Sequence, residues 1–350
     1  MSETSVTEVT SPVEPAVPIL AEPLAGDDLR AYQAMRDSVA VLESKDSHHL
    51  EFSGAQAAAA LNGLVTNNVL ALGVGDGQYA AALTAKGRVV ADMRIVRIGE
   101  ERFLTSVNSA AWPGWRDLVR KFVNPRLAKY TERSFTSLVF YGPDASTAIA
   151  GAARAVGGQS TITDLLAPYA TATSQVEEIE YLAIRLPALD TIDGFELLVP
   201  DSLEERVRKS LEHVARGTAP ALNVLRVESG RPEWGRDMDD TTIPQEANLG
   251  RLNALSFDKG CYTGQETVAR IHFRGHVNRH LRVLMSDTPL AVPAEVRDLT
   301  DKPVGDVRSA VISPKYGPVA IAMIRRELEP GAEVQVLAAS LGPVPARIDR

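Results

Sequence analysis

The sequence predicts an α+β fold that finishes in a small β barrel, and two observations predict it. Between about residues 50 and 280, helix-period apolar stripes are interspersed with short apolar runs of strand length. After residue 280 the helical period disappears. Short β-rich runs follow at Leu281–Met285, Gly305–Ile312, Val319–Ile324, Val334–Leu337 and Ala346–Ile348, separated by Gly and Pro, which is the texture of a barrel or sandwich.

Taken in order, residues 1–28 hold Glu3, Glu8, Glu14, Glu22, Asp27 and Asp28, four prolines, and no Lys or Arg. Such a segment buries too little apolar surface to offset its ordering entropy, so it is predicted to be a disordered acidic tail. Six of the eight net negative charges lie there, leaving the body near neutral. Tyr32 to Leu42 reads as a helical or extended lead-in. Ser53 and Gln56 have capping-box spacing ahead of Ala57, Leu61 and Leu64, predicting a helix that ends near Asn67. Val89–Ile98 and Phe103–Val107 read as a hairpin, and Trp112–Phe122 as a helix stopped by Asn124-Pro125. Ser137–Tyr141 reads as a strand and 144–156 as an Ala-rich helix. Tyr181–Leu186 and Phe195–Val199 read as strands about an Asp193-Gly194 turn. Ser202–Ala215 carries a capping box (Ser202 with Glu205) and a Leu203, Val207, Leu211 stripe. Leu222–Val227 is either a strand or a buried helical segment.

Composition excludes some function classes. A near-neutral body argues against a protein that coats nucleic acid. No run of 18 apolar residues marks a membrane span, and the acidic start does not resemble a secretory signal. Cys261 is the only cysteine, which fits a reducing, cytoplasmic setting and cannot by itself hold an iron–sulfur cluster.

Four segments could carry chemistry. In Lys259-Gly260-Cys261-Tyr262-Thr263-Gly264-Gln265-Glu266, two glycines let the backbone turn sharply around the thiol, and Lys259 could stabilise a thiolate; the alternative is an inert, buried Cys. Residues 270–282 concentrate Arg270, His272, Arg274, His276, Arg279, His280 and Arg282. At strand spacing most of these share a face suited to a phosphate or carboxylate; a metal site is less favoured, and a solvated edge is the plain alternative. Arg226 and Glu228 would share a face of an extended segment, as an ion pair or as a grip on a polar heterocycle. Asp92 sits in a mostly apolar strand, where a carboxylate is paired, near a turn, or functional.

These segments, in this order, resemble the aminomethyltransferase superfamily, which includes the glycine-cleavage T-protein. The likeness spans about residues 50–340 and runs through Leu64-Val65-Thr66-Asn67, the Gly87-to-Asp92 hairpin, Tyr141-Gly142-Pro143, Asp193-Gly194-Phe195-Glu196 and Arg226 to Asp237. Within it, the eight residues from Lys259 to Glu266 resemble the signature of the YgfZ-type branch. The resemblance implies three domains around a central opening: residues 29–50 with 127–221, residues 51–126 with 222–280, and a barrel over 281–350. It implies tetrahydrofolate as ligand, with Tyr79, Asp92, Glu196, Arg226, Tyr262 and Gln265 binding it and Cys261, Asp92 and Lys259 acting chemically. It further implies support of iron–sulfur enzyme assembly or repair, and thereby of tRNA thiomethylation, through a client enzyme. Folate-dependent one-carbon transfer assisted by Asp92 is the alternative, and direct RNA binding through 270–282 a weaker one. A monomer is expected; no metal is.

Overall fold

The computed structural model describes residues 17–157, 165–338 and 342–350. The chain runs β1 (Ile19–Leu20), α1 (Gly26–Asp37), β2 (Ala40–Ser44), β3 (Ser47–Ser53), α2 (Ala57–Leu64), β4 (Gly77–Leu83), β5 (Val89–Gly99), β6 (Arg102–Asn108), α3 (Trp112–Phe122) and β7 (Lys129–Arg133). It continues with β8 (Thr136–Tyr141), α4 (Ala145–Ala155), β9 (Thr171–Val176), β10 (Ile179–Leu189), β11 (Ile192–Val199), α5 (Asp201–Ser210), β12 (Ala215–Arg216), α6 (Ala219–Glu228) and α7 (Gln265–Arg274). The last part is β13 (Arg279–Met285), β14 (Ala291–Val292), β15 (Ala294–Arg297), β16 (Pro303–Ser313), β17 (Gly317–Arg325), β18 (Glu333–Leu337) and β19 (Val344–Ile348).

Two sheets are interleaved along the chain. One has the order β12-β2-β8-β11-β10-β9, the other β4-β5-β6-β3-β7, and β13-β17-β16-β15-β18-β19 closes into the expected barrel. The chain lays down β2 in the first sheet, leaves to build the second with β3 to β7, and returns with β8. The strands divide at 44/47 and 133/136, whereas the expected boundaries of 50/51 and 126/127 fall inside β3 and just ahead of β7.

Strand alternation sorts side chains between layers. On β5, Ala91, Met93 and Ile95 face a core shared with α2 and α3 that includes Phe52, Leu61 and Trp115. The opposite face of β5 carries Asp92, Arg94, Val96 and Ile98. Val96 and Ile98 pack with Leu182, Ile184 and Leu198 of the other sheet. On β11, Phe195, Leu197 and Val199 face a core covered by α4 and α5. The two sheets therefore meet through inner faces, with helices outside. α3 forms because Trp112, Trp115 and Val119 recur on one side and Pro113 stands in its first turn.

Several local expectations differ from the structure for identifiable reasons. The tail segment expected to lack order is structured from residue 17: Ile19 and Leu20 pair with Val292 and Ala291, and Pro23 bridges Ile312. Asp27 and Asp28 lie in the first turn of α1, where the helix dipole favours acids; residues 1–16 lie outside the described residues. Ser53 caps no helix, because it is held in β3 between Arg102 and Lys129. α5 begins at Asp201 behind Pro200, without a side-chain cap, so the Ser202 box is not formed. Asp193-Gly194 lies inside β11. The turn is Asp190-Thr191, with Leu189 paired to Ile192. Gly194 is required by packing instead: a Cβ there would sit 2.4 Å from Cε1 of Tyr141. The Leu222–Val227 segment is helical, started by Thr218 accepting from the Ala221 N–H.

Ile184 is fully buried between the two sheets. Ile184→Ala should lower stability by about 2–5 kcal/mol through lost burial and a cavity, read as a lower denaturant midpoint; an unchanged midpoint would contradict the two-sheet core.

Candidate functional site

The inner face of the second sheet carries one polar row. Tyr79 on β4 is the register partner of Arg94 on β5, Arg94 of Ser106 on β6, and Ser106 of His49 on β3. His49 Nδ1 lies 2.9 Å from Ser106 Oγ. Opposite this row, on β11, stands Glu196. Its carboxylate pairs with Arg94, accepts the Ser137 hydroxyl, and is buried. Burial by itself would raise the Glu196 carboxyl. The Arg94 guanidinium, with the Ser137 hydroxyl, outweighs it and holds the group below the ordinary carboxylate range. Burial lowers the His49 imidazole from 6.5 to about 4, so the ring is neutral beside the pair.

Beside the row, the Tyr79 hydroxyl donates to Asp92 Oδ2. Tyr169 stacks on Tyr79 with ring centroids 6.3 Å apart and planes 16° apart. The Arg231 guanidinium lies 5.0 Å over the Tyr79 ring and donates to Tyr169 Oη at 2.8 Å. Burial raises the Asp92 carboxyl above its ordinary value, with Tyr79 and Arg231 opposing it, and burial beside Asp92 raises Tyr79 well above its own. Among the described residues the buried Nε of Arg94 has no hydrogen-bond partner, so the layer holds a donor not yet used. Aromatic rings, a cation, a carboxylate whose pKa burial raises and an unused donor suit a planar heterocycle that presents N–H groups and carries an acidic end.

The Cys261 loop docks on the tip of the same hairpin. Lys259 donates to the carbonyls of Asn62, Val65 and Asn67 at 2.6, 2.6 and 2.9 Å, capping the end of α2. All three ammonium hydrogens are thereby engaged, so the expected support of a thiolate by Lys259 gives way to a structural role. Burial lowers this lysine to about 8. Its ammonium also lies 4.9 Å over the ring of Tyr262, which is buried and whose hydroxyl burial pushes up to about 12. The Thr263 N–H donates to Gly63 O and Thr267 Oγ1 to Lys86 O. Gly264, with φ +82°, leaves 2.4 Å between a notional Cβ and Thr84 O, so only glycine fits between loop and hairpin. Between these anchors Cys261 is exposed, which excludes the buried alternative. Asp92 lies four residues along β5 from Arg88 at the tip, about 13 Å at roughly 3.3 Å per residue.

The structure thus brings Tyr79 and Asp92 together, sets Glu196 across the layer against Arg94, and gathers Lys259, Cys261, Tyr262 and Gln265 at the tip. Gln265 opens α7 there. Arg226 is placed elsewhere. It pairs with Asp237 and donates to Ser309 and to the Arg231 carbonyl, tying α6 to the barrel. Because α6 is a helix, Arg226 and Glu228 do not pair; Glu228 is held by Arg36, Tyr32 and Ser313. The basic stretch 270–282 forms no single face either. Arg270, His272 and Arg274 lie on α7, whereas Arg279, His280 and Arg282 lie on β13. His272 stacks on Phe257 at 3.6 Å, and the described residues contain no group of His, Cys, Asp and Glu arranged to hold a metal. Arg94, His49, Tyr169 and Arg231 escaped the sequence reading. Only Arg94 left a signal, sharing the strand phase of Asp92.

Interleaved sheets, a separate barrel and a charged, aromatic layer between the sheets define an aminomethyltransferase-like class of protein. The model of the GCVT N-terminal domain family matches residues 25–258, and the chain belongs to this family. The chain is 25% identical over 331 residues to an aminomethyltransferase of Ralstonia pickettii, covering 89% of this chain and 85% of that one. It is 28% identical over 328 residues to an aminomethyltransferase of Saccharopolyspora erythraea, covering 88% and 85%. The fold is similar to a crystal structure of glycine cleavage system aminomethyltransferase T from Bartonella henselae, with TM-score 0.80 and 20% identity over 92% of this chain and 88% of that one. No helix of the described residues is long and apolar enough to cross a membrane.

Two outcomes test this geometry. Because the fold holds His49 neutral down to about pH 4, the unfolded chain binds the extra proton between 6.5 and 4. Stability should therefore fall as pH drops through that window, by on the order of 3 kcal/mol in all. His49→Gln should flatten that part of a plot of denaturant midpoint against pH, and an unaltered slope would contradict it. Gly264→Ala should displace the Cys261 loop from the hairpin, seen as a several-fold faster reaction of the thiol with a chromogenic disulfide and faster exchange of the Thr263 amide.

Proposed function

We propose that this chain binds a reduced folate, tetrahydrofolate, in the layer around Tyr79 and Asp92. We propose further that it presents Cys261 to a client enzyme carrying an iron–sulfur cluster, supporting that cluster's assembly or repair and so tRNA thiomethylation. The observation that carries the client role is the build of the Cys261 loop. Lys259, Tyr262 and Gly264 are all anchored, yet the thiol between them faces solvent. An anchored loop with an outward sulfur suits a partner protein better than a ligand held in the buried layer between the sheets. Its likeness to the YgfZ-type signature favours the same reading.

The donor set suits the folate. Asp92 can accept from the adjacent N–H groups of a pterin edge or hold a proton near the reactive nitrogens, Tyr79 and Tyr169 offer ring faces, and Arg231 offers a cation for the glutamate end. Glu196 would act on the pterin through the carboxylate it shares with Arg94. Tyr262 and Gln265 would face the rim. A second reading, one-carbon transfer from an amine donor to tetrahydrofolate, is favoured by one specific feature: the raised Asp92 carboxyl beside Tyr79 is the kind of group that guides a proton.

Calorimetric titration with tetrahydrofolate separates the parts. Asp92→Asn should weaken binding about tenfold or more, while Cys261→Ser should bind as wild type. In a strain lacking the protein, Cys261→Ser should fail to restore the cluster-dependent thiomethylation of tRNA, and full rescue would sink the client role. Methylenetetrahydrofolate formed from an amine donor by wild type and not by Asp92→Asn would establish the transferase reading instead.

A further inference from the structure

A cavity of about 220 Å³ lies between the C-terminal end of α6, the turn at 248–252 and strands β13 and β17 of the barrel. Its walls include Arg251, Arg282 and Arg350, and no Asp or Glu. The larger surface hollows differ. The one between β2 and α5 sets Glu43, Glu205 and Glu212 beside its cations, and the one beside His48 sets Glu132, Asp201 and Glu204 beside Lys45 and Arg133. Arg282, whose side chain is 15% exposed, faces this cavity together with two further guanidinium groups and no acid, an arrangement that an anion would complete.

The charges that face these arginines leave Arg282 undersatisfied. Arg350 donates to the Glu228 carbonyl at the end of α6 and pairs with Asp349 at 2.9 Å. Arg282 reaches Glu329 only at 3.7 Å, and that glutamate is 76% exposed. The Nε of Arg282 is buried and has no hydrogen-bond partner among the described residues. Arg251 has no ion-pair partner among the described residues. The remaining wall is apolar, formed by Pro232, Leu252, Leu281, Val283 and Ile321. Gly230 lets this wall close. Its φ is +65°, and a Cβ would stand 2.8 Å from Val283 Cγ2, so the end of α6 lies flat on the barrel.

We propose that this cavity is a second binding site that takes a small, doubly charged oxyanion on a short hydrocarbon body. Arg282 and Arg251 hold the charge, and Arg350 provides a third donor. The fork of a guanidinium matches a carboxylate or a phosphate in two parallel hydrogen bonds. The volume is below that of sites for drug-sized ligands and suits a compact molecule. The site is separate from the layer around Asp92: Arg231, between Gly230 and Pro232, is not part of its wall, and its guanidinium lies over Tyr79. The ligand's charge comes either from a phosphate group or from a pair of carboxylates.

Calorimetry on the full chain tests this with sodium phosphate and sodium glutarate in separate arms, at ionic strength held constant with sodium chloride. Saturable binding is expected in at least one arm, and the arm that binds identifies the source of the charge. Arg282→Gln and Arg251→Gln should each weaken that binding about tenfold or more. Arg251 is exposed and unpaired, so its variant keeps the fold and gives the deciding result should Arg282→Gln fail to fold. No saturable binding in either arm, or unchanged affinity in Arg251→Gln, would overturn the proposal.

Discussion

The ion pair between Arg94 and Glu196 is the constraint around which the two sheets are arranged. Each charge belongs to a different sheet; Glu196 is buried and the Arg94 side chain is only 11% exposed, so water serves the pair poorly. A buried pair of this kind adds little net stability, because desolvation offsets most of the attraction, but removing one partner leaves an intolerable charge. It therefore acts on register. β5 and β11 must present Arg94 and Glu196 to each other, and once they do, Asp92 and Tyr79 are fixed on the same inner face. The apolar contact of Val96 with Ile184 and Leu198 supplies the adhesion; the pair fixes the alignment.

A second constraint links this layer to the thiol. The β4–β5 hairpin carries Tyr79 and Asp92 in its body, and its tip carries the contacts to Gly264 and Thr267. Lys259 meanwhile joins the same loop to the end of α2. Carbonyls at a helix end need donors, and an ammonium that meets three of them is as much a cap as a glycine would be. Any event that shifts the hairpin is thus felt at Cys261 through backbone contact. On the function proposed above, these contacts would give the ligand layer and the thiol a physical route between them.

Much of the architecture was legible in the sequence. The β5–β6 hairpin, α3, α4 and the change to barrel texture after residue 280 follow from side-chain periodicity, which depends only on local geometry. Ser53 and the Asp193-Gly194 pair were read for what short polar residues and glycine do locally, and in both cases strand pairing or packing from another segment decided otherwise. Ser202 differs for a local reason, since α5 already begins at Asp201 behind Pro200. The basic stretch at 270–282 was split by the end of α7, which no alternation pattern marks.

The site divides in the same way. Sequence alone determined the family, the C-terminal barrel, the solitary thiol in its glycine-bracketed loop and the suspicion attached to Asp92, because each is written in neighbouring residues. Only the tertiary structure decided that Arg94 meets Glu196, that Arg231 rather than Arg226 covers Tyr79, that Lys259 caps α2, and that Arg251, Arg282 and Arg350 surround one cavity. Those groups come from segments far apart in the chain, and an ion pair or a cavity is a property of distance in space, on which the order of residues along one strand is silent.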